Sequence, residues 1–305
     1  MYNVAVLMST YNGSKYLREQ IDSILRQEDA NIHLFIRDDG SRDDTTRIID
    51  EYINGNDSIH LILGENIGVG RSFMQLVYDT PNDYDYYAFS DQDDIWLPTK
   101  VKKAIACLKD KKVALYCSNQ TLIDRSGEII STRHDSEPSL TWEQAVCNNR
   151  LSGCTMVWTK CFQKIVSENN RRPSNELLEN RIHDVWFSAV AGLIGNIYFD
   201  QESFILYRQH ENNVVGVKKT NVVKQWGDKV RNKKLRNGRS KLCKELYTNF
   251  EDLIADNKIK ERLKLYAYYN QNAKMKLNMI RDRELEKYSA DSLIGLKLKI
   301  LIDLF

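Results

Sequence analysis

The sequence predicts an α/β fold, a mostly parallel sheet with helices on both faces, followed by a C-terminal helical region. Three observations point there. Short apolar runs alternate with amphipathic helical patterns up to about residue 117. Polar, acid-rich loops fall just after those runs, where open α/β sheets bind ligands. From about residue 218 the pattern becomes long, helical and basic, with Tyr and Leu interleaved.

Each element has its own signal. Val4 to Met8 is an unbroken apolar run, as in a strand covered on both faces. Residues 15–26 place Leu17, Ile21, Ile24 and Leu25 on one helical stripe. His33 to Ile36 reads as the second strand, and 44–53 as a helix capped by Asp43 or Asp44. Ile59 to Leu63 is the third strand, followed by a helix at 71–79. Tyr86 to Phe89 and Val113 to Cys117 bracket a helix at 99–109 that Pro98 starts.

A length of 305 residues suits about two domains at roughly 150 residues each. The 42% hydrophobic and 28% charged content is that of an ordinary globular protein. Six Cys without a CxxC pair read as buried or free thiols of a reducing compartment. The start, MYNVAVLMSTYNG, lacks a basic region and a small-residue cleavage site, so no signal peptide is expected. Without a run of 18 apolar residues, no transmembrane helix is expected either. These readings predict a cytoplasmic protein. The net charge of +2 hides an asymmetry: residues 1–217 carry 22 Lys/Arg against 31 Asp/Glu, and residues 218–305 carry 22 against 11. That break predicts one domain at 1–217 and a basic helical region at 218–305.

Four loops carry candidate chemistry. Arg37-Asp38-Asp39-Gly40-Ser41 follows the second strand, where a carboxylate can accept from a ribose or base, or merely build a turn and cap. Phe89-Ser90-Asp91-Gln92-Asp93-Asp94-Ile95-Trp96 puts three carboxylates within four residues, either a hard-oxygen set suited to Mg²⁺ or Mn²⁺ or a solvated acidic loop. Read instead as the aspartyl nucleophile of a haloacid-dehalogenase-type phosphatase, that cluster fails at Ile95, where Thr or Val belongs. Ser9 to Gly13 closes the first strand and opens a helix, a place for a base or diphosphate. Asn66 to Arg71 reads either as a plain loop before a helix or as a loop that puts the Arg71 cation within reach of a phosphate. His33 and His60 read as core or edge histidines, His134 as surface, and Cys147, Cys154 and Cys161 as packing residues.

The ordered string STYNG, RDDGSRDDT, ENIGVGRSF, FSDQDDIWLPTK, LSGCTMVW, IHDVWF, YRQH resembles the family 2 glycosyltransferases of GT-A fold, over roughly residues 3–216. SDQDDIW and YRQHENNVVG look most like the bacterial rhamnosyltransferase branch. The resemblance implies that Thr10, Tyr11 and Asp39 cradle base and ribose, with Arg71 nearby and Asp91 on the ribose side. It implies a divalent metal, Mn²⁺ or Mg²⁺, on Asp93 and His210, and Asp184 as general base. The family's acidic pair is here His183-Asp184, so its first carboxylate is replaced.

The resulting expectation is an inverting, metal-dependent transferase moving a sugar from a nucleotide-sugar donor to a saccharide or lipid-linked saccharide acceptor. L-rhamnose from dTDP-rhamnose is the first choice, with a UDP-hexose as the alternative. Two readings from other classes compete. A non-catalytic nucleotide-sugar-binding module is disfavoured by retention of both Asp93 and Asp184. Nucleic-acid binding through the basic tail finds no RNP, zinc-finger or helix-turn-helix signature, so no nucleic-acid partner is expected. Residues 292–305, SLIGLKLKILIDLF, hold nine Leu, Ile and Phe, with Lys299 and Asp303 on one helical face. They are expected either to lie on a membrane interface, drawn by the basic region, or to pack on the catalytic domain or a second copy of the chain.

Overall fold

The computed structural model describes residues 1–180, 183–210 and 237–305. The chain divides into two compact units. The first comprises Met1–Pro138, Leu151–Asn169 and Gly195–Gly216 and carries every described strand. Its elements are β1 (Tyr2–Thr10), α1 (Leu17–Leu25), β2 (Ala30–Asp38), α2 (Thr45–Ile53), β3 (Ile59–Leu63), α3 (Val69–Asp79), β4 (Tyr86–Ser90), β5 (Ile95–Trp96), α4 (Lys100–Leu108), β6 (Ala114–Ile123), β7 (Ile129–Thr132), β8 (Val157–Thr159), α6 (Lys160–Ser167) and β9 (Asn196–Arg208).

The strands form one sheet in the order β3-β2-β1-β4-β8-β6-β9-β5, with β7 added to β6. β3, β2, β1 and β4 are mutually parallel, and β6 is parallel to β9. β8 runs antiparallel to both β4 and β6, and β5 antiparallel to β9. Strand alternation assigns the faces. Val4, Val6 and Met8 of β1 pack with Leu17, Ile21 and Ile24 of α1, Ile48 and Ile49 of α2, and Val101 and Ile105 of α4. On the opposite face Phe73 of α3 meets Phe89 edge-on at 5.2 Å, and Phe89 meets Trp158 at 4.4 Å. Helices thus cover both faces, as the α/β pattern predicts. The parallel strands end together at Thr10, Asp38 and Ser90, which places the loops that follow them side by side.

The second unit comprises Ser139–Arg150, Asn170–Ile194 and Val217–Phe305. Its helices are α5 (Trp142–Asn148), α7 (Asn175–Asn180), α8 (His183–Ile194), α9 (Gly238–Phe250), α10 (Asn257–Tyr268), α11 (Ala273–Ile280), α12 (Arg283–Tyr288) and α13 (Leu293–Leu301). Asp256, Asn272 and Ser292 cap α10, α11 and α13 by accepting backbone N–H groups two or three residues on. The sequence boundary at 217/218 therefore omits two stretches, because α5 and α8 bury their aromatics among the C-terminal helices. Trp142 lies 5.4 Å from Tyr266, and Trp186 lies 5.8 Å from Phe250. α8 approaches α5 so closely that a Cβ on Gly192 would strike the Trp142 backbone.

One side of α13 is core. Leu296 and Ile300 are buried, and buried Lys299 pairs with Asp291. Phe305 is 1% exposed, packs edge-on against Tyr266 and Tyr269, and accepts from the Arg239 N–H. Asp303 pairs with Lys276, so the polar face expected of Lys299 and Asp303 is two separate ion pairs. Leu293, Ile294, Leu298, Leu301 and Ile302 remain exposed. Residues 218–236, which carry eight of the region's basic residues against one acidic, lie outside the described residues. No described helix is long and apolar enough to cross a membrane.

Candidate active site

The loops after β1, β2 and β4 are tied to one another by side chains. Asp38 Oδ2 accepts from the Thr10 hydroxyl at 3.0 Å, and its Oδ1 accepts from the Ser41 N–H at 2.8 Å. Thr10 is 1% exposed, so its hydroxyl props Asp38 from inside. Asp39 is buried as well. It accepts the backbone N–H groups of Ile67 and Gly68, each at 2.9 Å, and pairs with buried Arg37. Gly68 presents that N–H from φ 85°, a conformation an L side chain resists. Arg71, half-buried in the first turn of α3, donates from Nε to the Ile67 carbonyl at 2.6 Å. Tyr11 is 46% exposed, an open ring beside this scaffold. Strand-end position brings Thr10, Tyr11 and Asp39 together, and Asp39 reaches the Ile67–Gly68 backbone to which Arg71 is also bonded.

The acidic loop after β4 has three different carboxylates. Asp93 Oδ2 meets His210 Nε2 at 2.7 Å, both side chains about one-seventh exposed (15% and 13%). Asp91 is half-buried. Asp94 is fully buried, and burial together with the neighbouring Asp93 and Asp91 charges pushes its carboxyl well up from the usual carboxylate range. Its Oδ1 accepts from the Arg208 backbone N–H at 3.1 Å. Beside it lie the Cys154 thiol, also pushed up by burial, and Lys100. The Lys100 ammonium sits 3.6 Å from the centre of the Trp96 ring, and burial brings it down to about 8.

Two groupings here are rich in metal-ligating atoms. Ligand atoms of Asp91, Asp94 and Cys154 all lie within 4.8 Å of one another. A carboxyl and a thiol whose charged forms are disfavoured by burial suit Mg²⁺ or Mn²⁺ poorly. The carboxylate oxygen and imidazole nitrogen of Asp93 and His210 are the donors that fit such an ion, with neighbouring Asp91 adding negative charge.

Sequence reasoning counted Asp94 in the acidic cluster without separating it from Asp91 and Asp93, and it gave no role to Gln92, Lys100 or Arg208. Arg208 stands in the same YRQH string as His210, and it is 2% exposed. His134, expected at the surface, is 6% exposed, whereas Cys161, expected inside, is exposed.

Asp184 belongs to the helical unit, in the first turn of α8, where its charge complements the helix N-terminus. Its Oδ1 accepts from the Val185 N–H at 2.6 Å, and it remains partly exposed. The preceding His183 is 4% exposed, and burial lowers it to about 3, so it is neutral near pH 7. His183 thus replaces the expected first carboxylate with an uncharged core group.

Residues 5–165 match the family model of glycosyl transferase family 2, and the chain belongs to that family. It is a glycosyltransferase of GT-A fold. It is 37% identical over 219 residues to the dTDP-rhamnosyl transferase RfbG of Shigella flexneri, a match covering 68% of this chain and 73% of that one. An uncharacterized glycosyltransferase of Rickettsia prowazekii is 27% identical over 216 residues, covering 68% of this chain and 64% of its own length. Among solved structures, S. aureus TarS 1-349 in complex with UDP superposes with a TM-score of 0.61 at 14% identity. That superposition covers 99% of this chain and 87% of TarS 1-349.

Proposed function

We propose that this enzyme transfers L-rhamnose from dTDP-rhamnose to a hydroxyl of a cell-surface polysaccharide or its lipid-linked precursor, with inversion and with Mn²⁺ or Mg²⁺. The observation that carries the chemistry is the Asp93–His210 pair, 2.7 Å apart beside the strand-end loops. Likeness to the S. flexneri dTDP-rhamnosyl transferase supports the choice of donor. Tyr11 offers its exposed ring to the base, Asp39 and the Thr10–Asp38 bond fix the walls of the base pocket, and Asp91 takes the ribose. Arg71 would lie close to the same pocket, and Asp93 and His210 would hold the cation. A bound cation offsets charge on the departing nucleoside diphosphate.

Asp184 accepts the proton of the acceptor hydroxyl as its oxygen bonds to the anomeric carbon. The glycosidic oxygen leaves with its electron pair on the diphosphate. One displacement inverts the carbon, and no covalent glycosyl-enzyme forms, unlike a retaining glycosidase. The enzyme is proposed to work in the cytoplasm, reaching a lipid-linked acceptor at the inner face of the membrane, through the helical region 218–305 or a dimer formed by it.

A thermal-shift panel of dTDP-rhamnose, UDP-glucose and UDP-galactose, with Mn²⁺ or with EDTA, tests the reading. The expected result is stabilisation by dTDP-rhamnose in Mn²⁺, reduced in EDTA. Stabilisation by a UDP-hexose alone would replace the donor, and equal shifts in EDTA would remove the metal.

A further inference from the structure

We propose that Arg208 and Tyr16 are positioning residues that set the Asp93–His210 pair, an inference that rests on that pair holding the cation. Arg208 closes β9 and reaches several segments from one buried position. Its backbone N–H fixes Asp94, and its Nε donates to the Asp93 carbonyl at 3.1 Å. Its Nη2 donates to Glu19 of α1 at 2.6 Å, and its Nη1 lies 3.5 and 3.4 Å from the carbonyls of Asp124 and Arg125. The guanidinium carbon stands 4.4 Å from the centre of the Tyr16 ring. That ring in turn stacks on the His210 imidazole, with centres 5.8 Å apart and planes 27° apart.

The network therefore grips both partners. Arg208 holds the backbone of Asp93, and through Tyr16 it limits the tilt of the His210 ring. An imidazole free to rotate about its two terminal torsions presents Nε2 to Asp93 only part of the time; a stacked one is held there. Charge fits the same purpose. A buried guanidinium alone would oppose a nearby cation, but Glu19 balances it, leaving the Asp91 and Asp93 charges for a metal. Among the described residues no group pairs with the buried Tyr16 hydroxyl, so the ring rather than the phenol is what the arrangement uses.

The test measures Mn²⁺ affinity by electron paramagnetic resonance, and dTDP affinity in EDTA, for Tyr16→Phe, Tyr16→Leu, Arg208→Lys and Asp93→Ala. Tyr16→Leu and Arg208→Lys are expected to weaken Mn²⁺ binding about 10- to 100-fold, the range for lost support of a metal ligand. Their dTDP affinity in EDTA and their folded circular-dichroism spectra are expected to match wild type, and Tyr16→Phe to bind Mn²⁺ as wild type does. Wild-type Mn²⁺ affinity in both Tyr16→Leu and Arg208→Lys would overturn the proposal. So would an equal loss of dTDP affinity in EDTA. If Asp93→Ala itself bound Mn²⁺ as tightly as wild type, the cation assignment would fall first, which separates the two failures.

Discussion

The side-chain amide of Gln92 pairs with the backbone of Tyr11 in both directions, accepting its N–H at 2.9 Å and donating to its carbonyl at 3.2 Å. The pairing ties the acidic loop after β4 to the loop after β1, and it fills the space where Gly13 lacks a Cβ. Gln92→Ala is expected to weaken nucleoside diphosphate binding while leaving the melting temperature within a few degrees of wild type. Calorimetric titration beside a thermal melt checks both.

Asp93 and His210 are expected to act as one unit. Asp93→Ala and His210→Ala should each abolish the Mn²⁺-dependent part of donor binding, and the double variant should be no worse than either alone. Additive losses in the same titration would mean that the two side chains serve separate tasks.

Replacing Asp184 with Asn keeps its shape and its bond to the Val185 N–H while removing the proton acceptor. Turnover is expected to fall by roughly 10²–10⁴ with donor affinity unchanged. A lowered donor affinity with normal turnover at saturation would make Asp184 a binding residue.

Asp39 is held among backbone N–H groups and buried Arg37, so Asp39→Asn leaves a buried cation without its counter-charge. A loss of about 3–5 kcal/mol in chemical denaturation is expected. A loss below about 1 kcal/mol would show that Arg37 finds other partners.

His183 gives an acid limb to stability. Its proton is bound more weakly in the folded state, at about 3, than in the unfolded chain, near the ordinary 6.5. The unfolded state therefore takes up the extra proton between those values, and stability falls as pH drops through that window, by about 1.4 kcal/mol per pH unit at most. His183→Gln should flatten the limb between pH 6 and 4 in urea melts; an unchanged slope would point to other titrating groups.

The sheet was readable because its signals are local. Ile59–Leu63 is the strand that its apolar run predicts, and the loops that carry Tyr11, Asp39 and Asp91 meet because their parallel strands are neighbours. What the pattern concealed depends on distant packing. Three aspartates in four residues look alike in sequence, yet Asp94 is buried beneath the loop while Asp93 faces His210. Arg208 lies more than a hundred residues from the loop it fastens, so no spacing rule reaches it. The same holds for α5 and α8, whose Trp142 and Trp186 meet Tyr266 and Phe250 of the C-terminal helices.

The threading of α5 and α8 into the helical unit also sets an order of events during synthesis. By the time residue 194 has been made, Trp142 and Trp186 exist, but Tyr266 and Phe250 do not. Those two ring contacts must wait until roughly seventy further residues have been made, at ~5–20 residues per second. Slowing translation after residue 194 should therefore lengthen the interval in which the nascent chain can be trapped by aggregation.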